Sequence, residues 1–462
     1  MDVLLLACYE LGHQPLSLAW PLAALREEGH TVRALDLAVE SFDPSAAAAA
    51  SLVGIAVPMH TAMRLGVEAA RQVRAANPQA HICFYGLYAW LNADYLLTAS
   101  NGHRPLADTV IAGEFEAPLQ GLARALNQGE DATSVPGVST LGHRDGAHLE
   151  RLAFPVPDRA DLPSLSQYAH YMYDGAAVPA GYVEASRGCL HTCRHCPVVP
   201  VYGGRFFVVP VEAVMADVRQ QVEAGAQHIT FGDPDFLNGP GHALNVARAL
   251  HEEFPAVTFD FTTKVEHIRE RQELFAEFRE LGATFVVSAF EAVSDRVLQQ
   301  LNKGHTVADM EAALDILDAA GLHVQPTWVP FTPWTTMDDY LALLAWIREH
   351  RLIQHVPAVQ LSIRLLIPPK SALLDEVETA GWLGPLDAEN FTYRWQHPDP
   401  RVDSLQRAVA DLVEEAGNGD PYRTFAEVER LAYETAGRPV PRWRPPRVPD
   451  LPPPRLTEDW FC

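Results

Sequence analysis

Positive charge is scarce in this 462-residue chain. Its 35 lysines and arginines face 59 acidic residues, for a net charge of −24. A surface of that sign repels phosphate backbones and argues against nucleic acid as a partner. Long apolar runs are also missing. No stretch reaches the roughly 20 uncharged apolar residues of a membrane span. The opening MDVLLLACYELGH lacks the basic region of a signal peptide. The chain therefore reads as soluble and cytoplasmic, with no membrane partner. Cysteine is sparse, and three of the six cluster at 189, 193 and 196. One tight cluster in a cytosolic chain points to metal ligation rather than a disulfide framework. Cys8 and Cys83 sit in apolar, strand-like runs and read as buried free thiols.

What is present is apolar material, 48% of the residues, enough for two or three domains. Residues 1–130 alternate short apolar runs with helical periodicity. Strands are expected at 3–7, 31–35, 52–57, 81–85 and 109–112, and helices at 16–29, 64–76 and 116–126. That alternation implies a Rossmann-like parallel sheet with helices on both faces. Residues 131–180, rich in Pro, Asp, Gly and Ser, read as a linker. The alternation restarts at 181, with strands expected at 182–186, 228–231, 258–262, 284–289, 323–329 and 359–366. Amphipathic stretches lie between them. Six β/α repeats, in residues 181–375, fall short of a closed eight-fold barrel and predict a partial (β/α)6 barrel with its chemistry at the C-terminal strand ends. Residues 376–437 read as a helical extension. Residues 438–462 form a Pro/Arg-rich tail that ends in Cys462 and favours an extended conformation. This tail reads either as an arm docked on the acidic body or as one that carries its last residues to a particular place.

The sequence EASRGCLHTCRHCP follows the first barrel strand. Its C-x3-C-x2-C spacing can ligate three irons of a cubane and leave the fourth open. Gly188 allows a sharp turn before Cys189. A zinc site on the same thiolates plus His191 or His195 is the competing reading, although zinc ligands usually come as separated pairs.

On this spacing, in this position, residues 180–375 resemble the radical SAM superfamily. His195 departs from the aromatic residue usual before the last cysteine. The resemblance implies a [4Fe–4S] cluster on Cys189, Cys193 and Cys196, and S-adenosylmethionine chelated at the open iron. It also implies a 5′-deoxyadenosyl radical that takes hydrogen from a small-molecule substrate, with an electron donor such as flavodoxin or ferredoxin. By the same resemblance, Asp233 in FGDPDF would contact the methionine amino group, with a solvated Pro-Asp turn as the alternative. Ser288 and Glu291 would reach the nucleoside or carboxylate, unless Glu291 caps the next helix. Lys264 sits where relatives carry a basic residue. Arg364, inside an apolar strand, needs a partner, either a cofactor or substrate carboxylate or a structural ion pair.

Residues 1–130 resemble the cobalamin-binding domain that precedes many radical SAM barrels. The D-x-H-x-x-G motif is absent, although His13 is nearby, and Tyr85-Gly86-Leu87 stands where relatives have Gly-Gly. Bound cobalamin would imply methyl transfer to an unactivated carbon. Without it, the barrel would run hydrogen abstraction, rearrangement or transfer of another fragment of S-adenosylmethionine. The ending EDWFC resembles radical SAM proteins that continue Cys-Sec-Ala-Glu-Pro or Cys-Cys-Ala-Glu-Pro. On that resemblance Cys462 is a redox candidate and the chain is expected to continue through a selenocysteine codon; the alternative is an incidental terminal cysteine. A non-catalytic metal-binding protein is the reading from another class.

Overall fold

In the computed structural model, the described residues are 1–99, 104–150, 153–376, 381–417, 419–445 and 451–458. The first sheet contains β1 (Asp2–Ala7), β2 (Thr31–Asp36), β3 (Leu52–Ala56), β4 (His81–Tyr85), β5 (Thr109–Ile111) and β6 (Val138–Thr140), in the order β2-β1-β3-β4-β5-β6. Strands β1 to β5 are parallel, and β6 closes the edge antiparallel. Strands β1, β3 and β4 are apolar at nearly every position because helices cover both faces. Cys8 and Cys83 are buried there as free thiols.

The second sheet curls into a half-barrel. It is built from β7 (His170–Tyr173), β8 (Ala176–Val183), β11 (His228–Phe231), β12 (Thr258–Thr262), β13 (Ala283–Glu291), β14 (His323–Trp328) and β17 (Arg455–Leu456), in the order β14-β13-β12-β11-β8-β7-β17. A small ribbon of β9 (Ser186–Gly188) and β10 (Phe206–Val208) frames the cysteine loop. The five strands from β8 to β14 are parallel. On the outer face, Phe231, Phe236, Phe259, Phe261, Phe275 and Phe278 form one aromatic block, each at most 2% exposed. Burying one such ring stabilises by about 1.5–3 kcal/mol, so this block holds the barrel's helices to its strands.

Several expectations are modified. The sixth strand expected at 359–366 is reduced to one parallel bridge between Phe331 and Arg364. The stretch before it is the 3-10 turn Ala358–Leu361. Residues 131–180 do more than link, since they supply β6, β7 and half of β8. The extension after the barrel opens with a hairpin, β15 (Leu383–Asp387) and β16 (Thr392–Trp395), before helices Pro400–Ala416 and Pro421–Thr435. The tail is docked where it is described, and β17 adds to the edge of β7. Cys462 lies outside the described residues.

Candidate functional site

The cysteine loop leaves the C-terminal end of β8. Gly188 has φ +77°, and a Cβ there would stand 2.5 Å from the Arg205 carbonyl oxygen. Only glycine therefore lets β9 pass β10 and turn into Cys189. Asn238 holds the loop from the next strand. Its side-chain oxygen accepts the Leu190 amide at 3.1 Å. Arg194 N donates to Leu301 O at 3.0 Å, which fastens the other end. The three thiols lie near one another. Burial pushes Cys189 up to about 11 and Cys196 to about 12, and the neighbouring thiols add to both shifts. Such a set is disposed to share a positive centre, because ligation reverses this penalty.

A buried cation already faces it. The Lys303 ammonium lies 3.0 Å from Glu291, and both are buried. Burial opposes its charge, but Glu291 and the sulfurs of Cys193 and Cys196 raise its pKa. Glu291 is also 3.1 Å from His195 Nε2. Burial would raise its pKa, yet Lys303 and His195 hold it well below the usual carboxylate range. Its backbone sits at φ +67°, a conformation rare outside glycine. Glu291 therefore reaches back to the cysteine loop. It does not cap the next helix, whose N-cap is Ser294. The imidazole of His195, in the place of an aromatic ring, is positioned by this carboxylate.

Asp233 and Asp235 have separate roles. Asp233 accepts from Ala185 N at 2.9 Å and Ser186 Oγ at 2.5 Å, fixing the start of the loop, and burial raises it to about 7. Asp235 accepts from Thr263 Oγ1 at 2.8 Å and lies 3.0 Å from His267 Nδ1 and 3.4 Å from His191 Nε2. Burial disfavours its charge, but these neighbours hold it well below the usual range. His191, Asp235 and His267 bring three ligand atoms within 4.8 Å of one another. Sequence reasoning missed Asp235, His267, Asn238 and Lys303, and the Asp-Pro-Asp spacing was the one signal for the first of them. Ser288 is buried with Oγ unpartnered among the described residues. Lys264 is buried and pairs with Glu266 at 3.0 Å. Arg364 stands apart. It pairs with Asp403 at 2.7 Å, donates to Trp395 O and lies 3.4 Å from the Trp395 ring centroid.

The first sheet meets this site through Arg187. Its guanidinium is buried against Glu184 at 2.6 Å, Glu114 at 2.9 Å and Glu116 at 2.6 Å, and lies over Trp20. The exits of its strands are filled by the chain itself. Glu10 accepts from Leu16 N, Ser17 N and Ser17 Oγ at the start of helix α1 (Leu16–Glu27). Tyr85, fully buried, donates to Ser17 O at 2.8 Å and packs 5.0 Å from the Phe115 ring.

Comparison with known proteins bears on this arrangement. The radical SAM superfamily model matches residues 183–346. Hopanoid C-3 methylase of Methylococcus capsulatus is 25% identical over 343 residues, 73% of this chain and 64% of that protein. An uncharacterised methyltransferase of Pyrococcus horikoshii is 24% identical over 353 residues, 72% of this chain and 73% of that one. Two solved structures share the fold. The cobalamin-dependent S-adenosylmethionine radical enzyme OxsB, with aqua-cobalamin and S-adenosylmethionine bound, has a TM-score of 0.72 at 14% identity, covering 94% of this chain and 72% of that one. The radical S-adenosylmethionine methyltransferase TsrM from Kitasatospora setae, with cobalamin and a [4Fe–4S] cluster bound, has a TM-score of 0.64 at 16% identity, covering 94% and 88%. No helix among the described residues is long and apolar enough to cross a membrane. The cofactors of a radical SAM domain are a [4Fe–4S] cluster and S-adenosylmethionine, and the three converging thiols beside a buried ammonium suit the first. Residues 183–346 thus match a radical SAM domain, and the likeness supports an enzyme.

Proposed function

We propose that Cys189, Cys193 and Cys196 hold the [4Fe–4S] cluster and that the enzyme acts, without cobalamin, on a small molecule inside the half-barrel. The carrying observation is the buried Lys303 ammonium beside the sulfurs of Cys193 and Cys196, a charge that offsets the negative charge of a thiolate-ligated cluster. When bound, the cluster and S-adenosylmethionine supply the electron and the 5′-deoxyadenosyl group for hydrogen abstraction. The chain's own part is positional. Glu291 and His195 set the loop, and Asp233 fixes its first turn. Asp235, with His191 and His267, offers charge-assisted contacts for the polar end of S-adenosylmethionine, and Ser288 offers a hydroxyl. The curled sheet keeps water from the reacting atoms.

The reading without cobalamin rests on the first sheet. A flavodoxin-like sheet takes a nucleotide-tailed ligand at its topological switch point and at the N-terminus of the first helix. Glu10 occupies the helix amides, and Tyr85 with Phe115 fills the neighbouring strand exits. A second reading, cobalamin-dependent methyl transfer, is supported by the likeness to OxsB and TsrM across both sheets and by the relatives named as methylase and methyltransferase. Protein expressed with cobalamin supplied and purified without oxygen separates the two. Roughly four irons per chain and no cobalt are expected, and one cobalt per chain would instead establish the second reading.

A further inference from the structure

Inside the half-barrel lies a cavity of about 160 Å³, walled by Thr230, Asp260 and Thr262 on the strands and by His13 from the first sheet's β1 loop. The C-terminal tail closes one side of it, through Leu456 and Glu458. The tail is stitched across the open side of the sheet. Arg455 and Leu456 pair with Met172 and Tyr171, Thr457 N donates to His170 O at 2.8 Å, and Gln325 Nε2 on β14 donates to Pro454 O at 3.1 Å. The two ends of the curled sheet, β14 and β7, are thus joined by this segment. Its last described residue is latched. Tyr9 donates to Glu458 Oε1 at 2.6 Å, and Glu458 packs against Gly12, where a Cβ would stand 2.7 Å from Glu458 Cγ. Gly12, at φ +69°, leaves room for this carboxylate.

The lining has a sign. Asp260 and Glu458 face the cavity beside Asp233, which burial raises to about 7, no lysine or arginine among the described residues does, and burial keeps His13 neutral by lowering its pKa to about 3. Asp260 is satisfied by His228 at 2.8 Å and Thr230 at 2.7 Å, and Asp233 by the loop, so Glu458 is the carboxylate contributed from outside the barrel. The volume lies below the ~300–1,000 Å³ of pockets for drug-sized ligands. We propose that the tail is the substrate gate of this enzyme, with Leu456 setting the size of the pocket and Glu458 selecting a small, positively charged molecule, a primary amine. A two-residue edge strand is an element of low local stability, able to open without disturbing the core. This deepens the radical SAM reading and rests on it.

The test uses the full, cluster-loaded chain with 1-butylamine and butyrate as size-matched probes, followed through the thermal unfolding midpoint against probe concentration. Butylamine is expected to stabilise and butyrate not. Glu458→Gln, which preserves shape, is expected to weaken butylamine at least roughly tenfold, the loss of one charge-assisted contact. Leu456→Trp is expected to abolish the response by filling the cavity. Equal response to both probes, or an unaltered response in Glu458→Gln, overturns the proposal. In wild-type protein, the electron paramagnetic resonance spectrum of the reduced cluster before and after S-adenosylmethionine reads the radical SAM assignment separately. An amine preference with no spectral response would fault that assignment and not the gate.

Discussion

Glu291 and Lys303 form a buried ion pair at 3.0 Å behind the cysteine loop, with the carboxylate also fixing His195. Removing one partner of such a pair leaves an unpaired buried charge and costs about 3–5 kcal/mol, whereas removing both is far milder. Lys303→Met and Glu291→Gln should each lower the thermal unfolding midpoint of the metal-free chain and reduce its capacity to retain iron. The double variant should recover much of the stability. Denaturant titration of the four proteins checks the cycle, and strictly additive losses would show that the pair does not act as one unit.

Gly188→Ala tests the turn into the cysteine loop. The positive φ alone costs an alanine about 1–2 kcal/mol, and its Cβ would press on the Arg205 carbonyl. Circular dichroism should remain near wild type while iron retention falls. Full iron retention would show that the loop tolerates a shifted turn.

Glu10 gives a pH signature. Burial raises its folded pKa from 4.5 to about 7 despite the bonds from Ser17. Between those values the unfolded chain releases a proton that the folded chain keeps. The associated stability is present in full below about 4.5 and lost as pH rises through about 7. Glu10→Gln removes this dependence. The stability difference, variant minus wild type, should therefore shift in the variant's favour from pH 4.5 to 7 and then level off. A difference that stays flat across this range would mean that Glu10 is not buried as an acid.

Much of this was legible because it is local. The strand runs 81–85 and 258–262, the C-x3-C-x2-C spacing and the glycine before it each encode their geometry within a few residues. The remainder depends on distant partners. Arg364 found Asp403 and Trp395, which belong to the extension, and the single bridge to Phe331 replaced a sixth strand. Strand β17 exists because β7 offers a free edge, and no pattern in a proline-rich tail announces that. The Asp235–His191–His267 group joins the cysteine loop to residues after two different strands, so its members look unremarkable one at a time.

The most direct test of the radical SAM assignment is cleavage of S-adenosylmethionine by the anaerobically reconstituted chain under dithionite. 5′-Deoxyadenosine and methionine are expected in equal amounts, and neither from Cys193→Ala protein that remains folded. A reconstituted chain that carries its iron, binds S-adenosylmethionine and forms no 5′-deoxyadenosine would contradict that assignment.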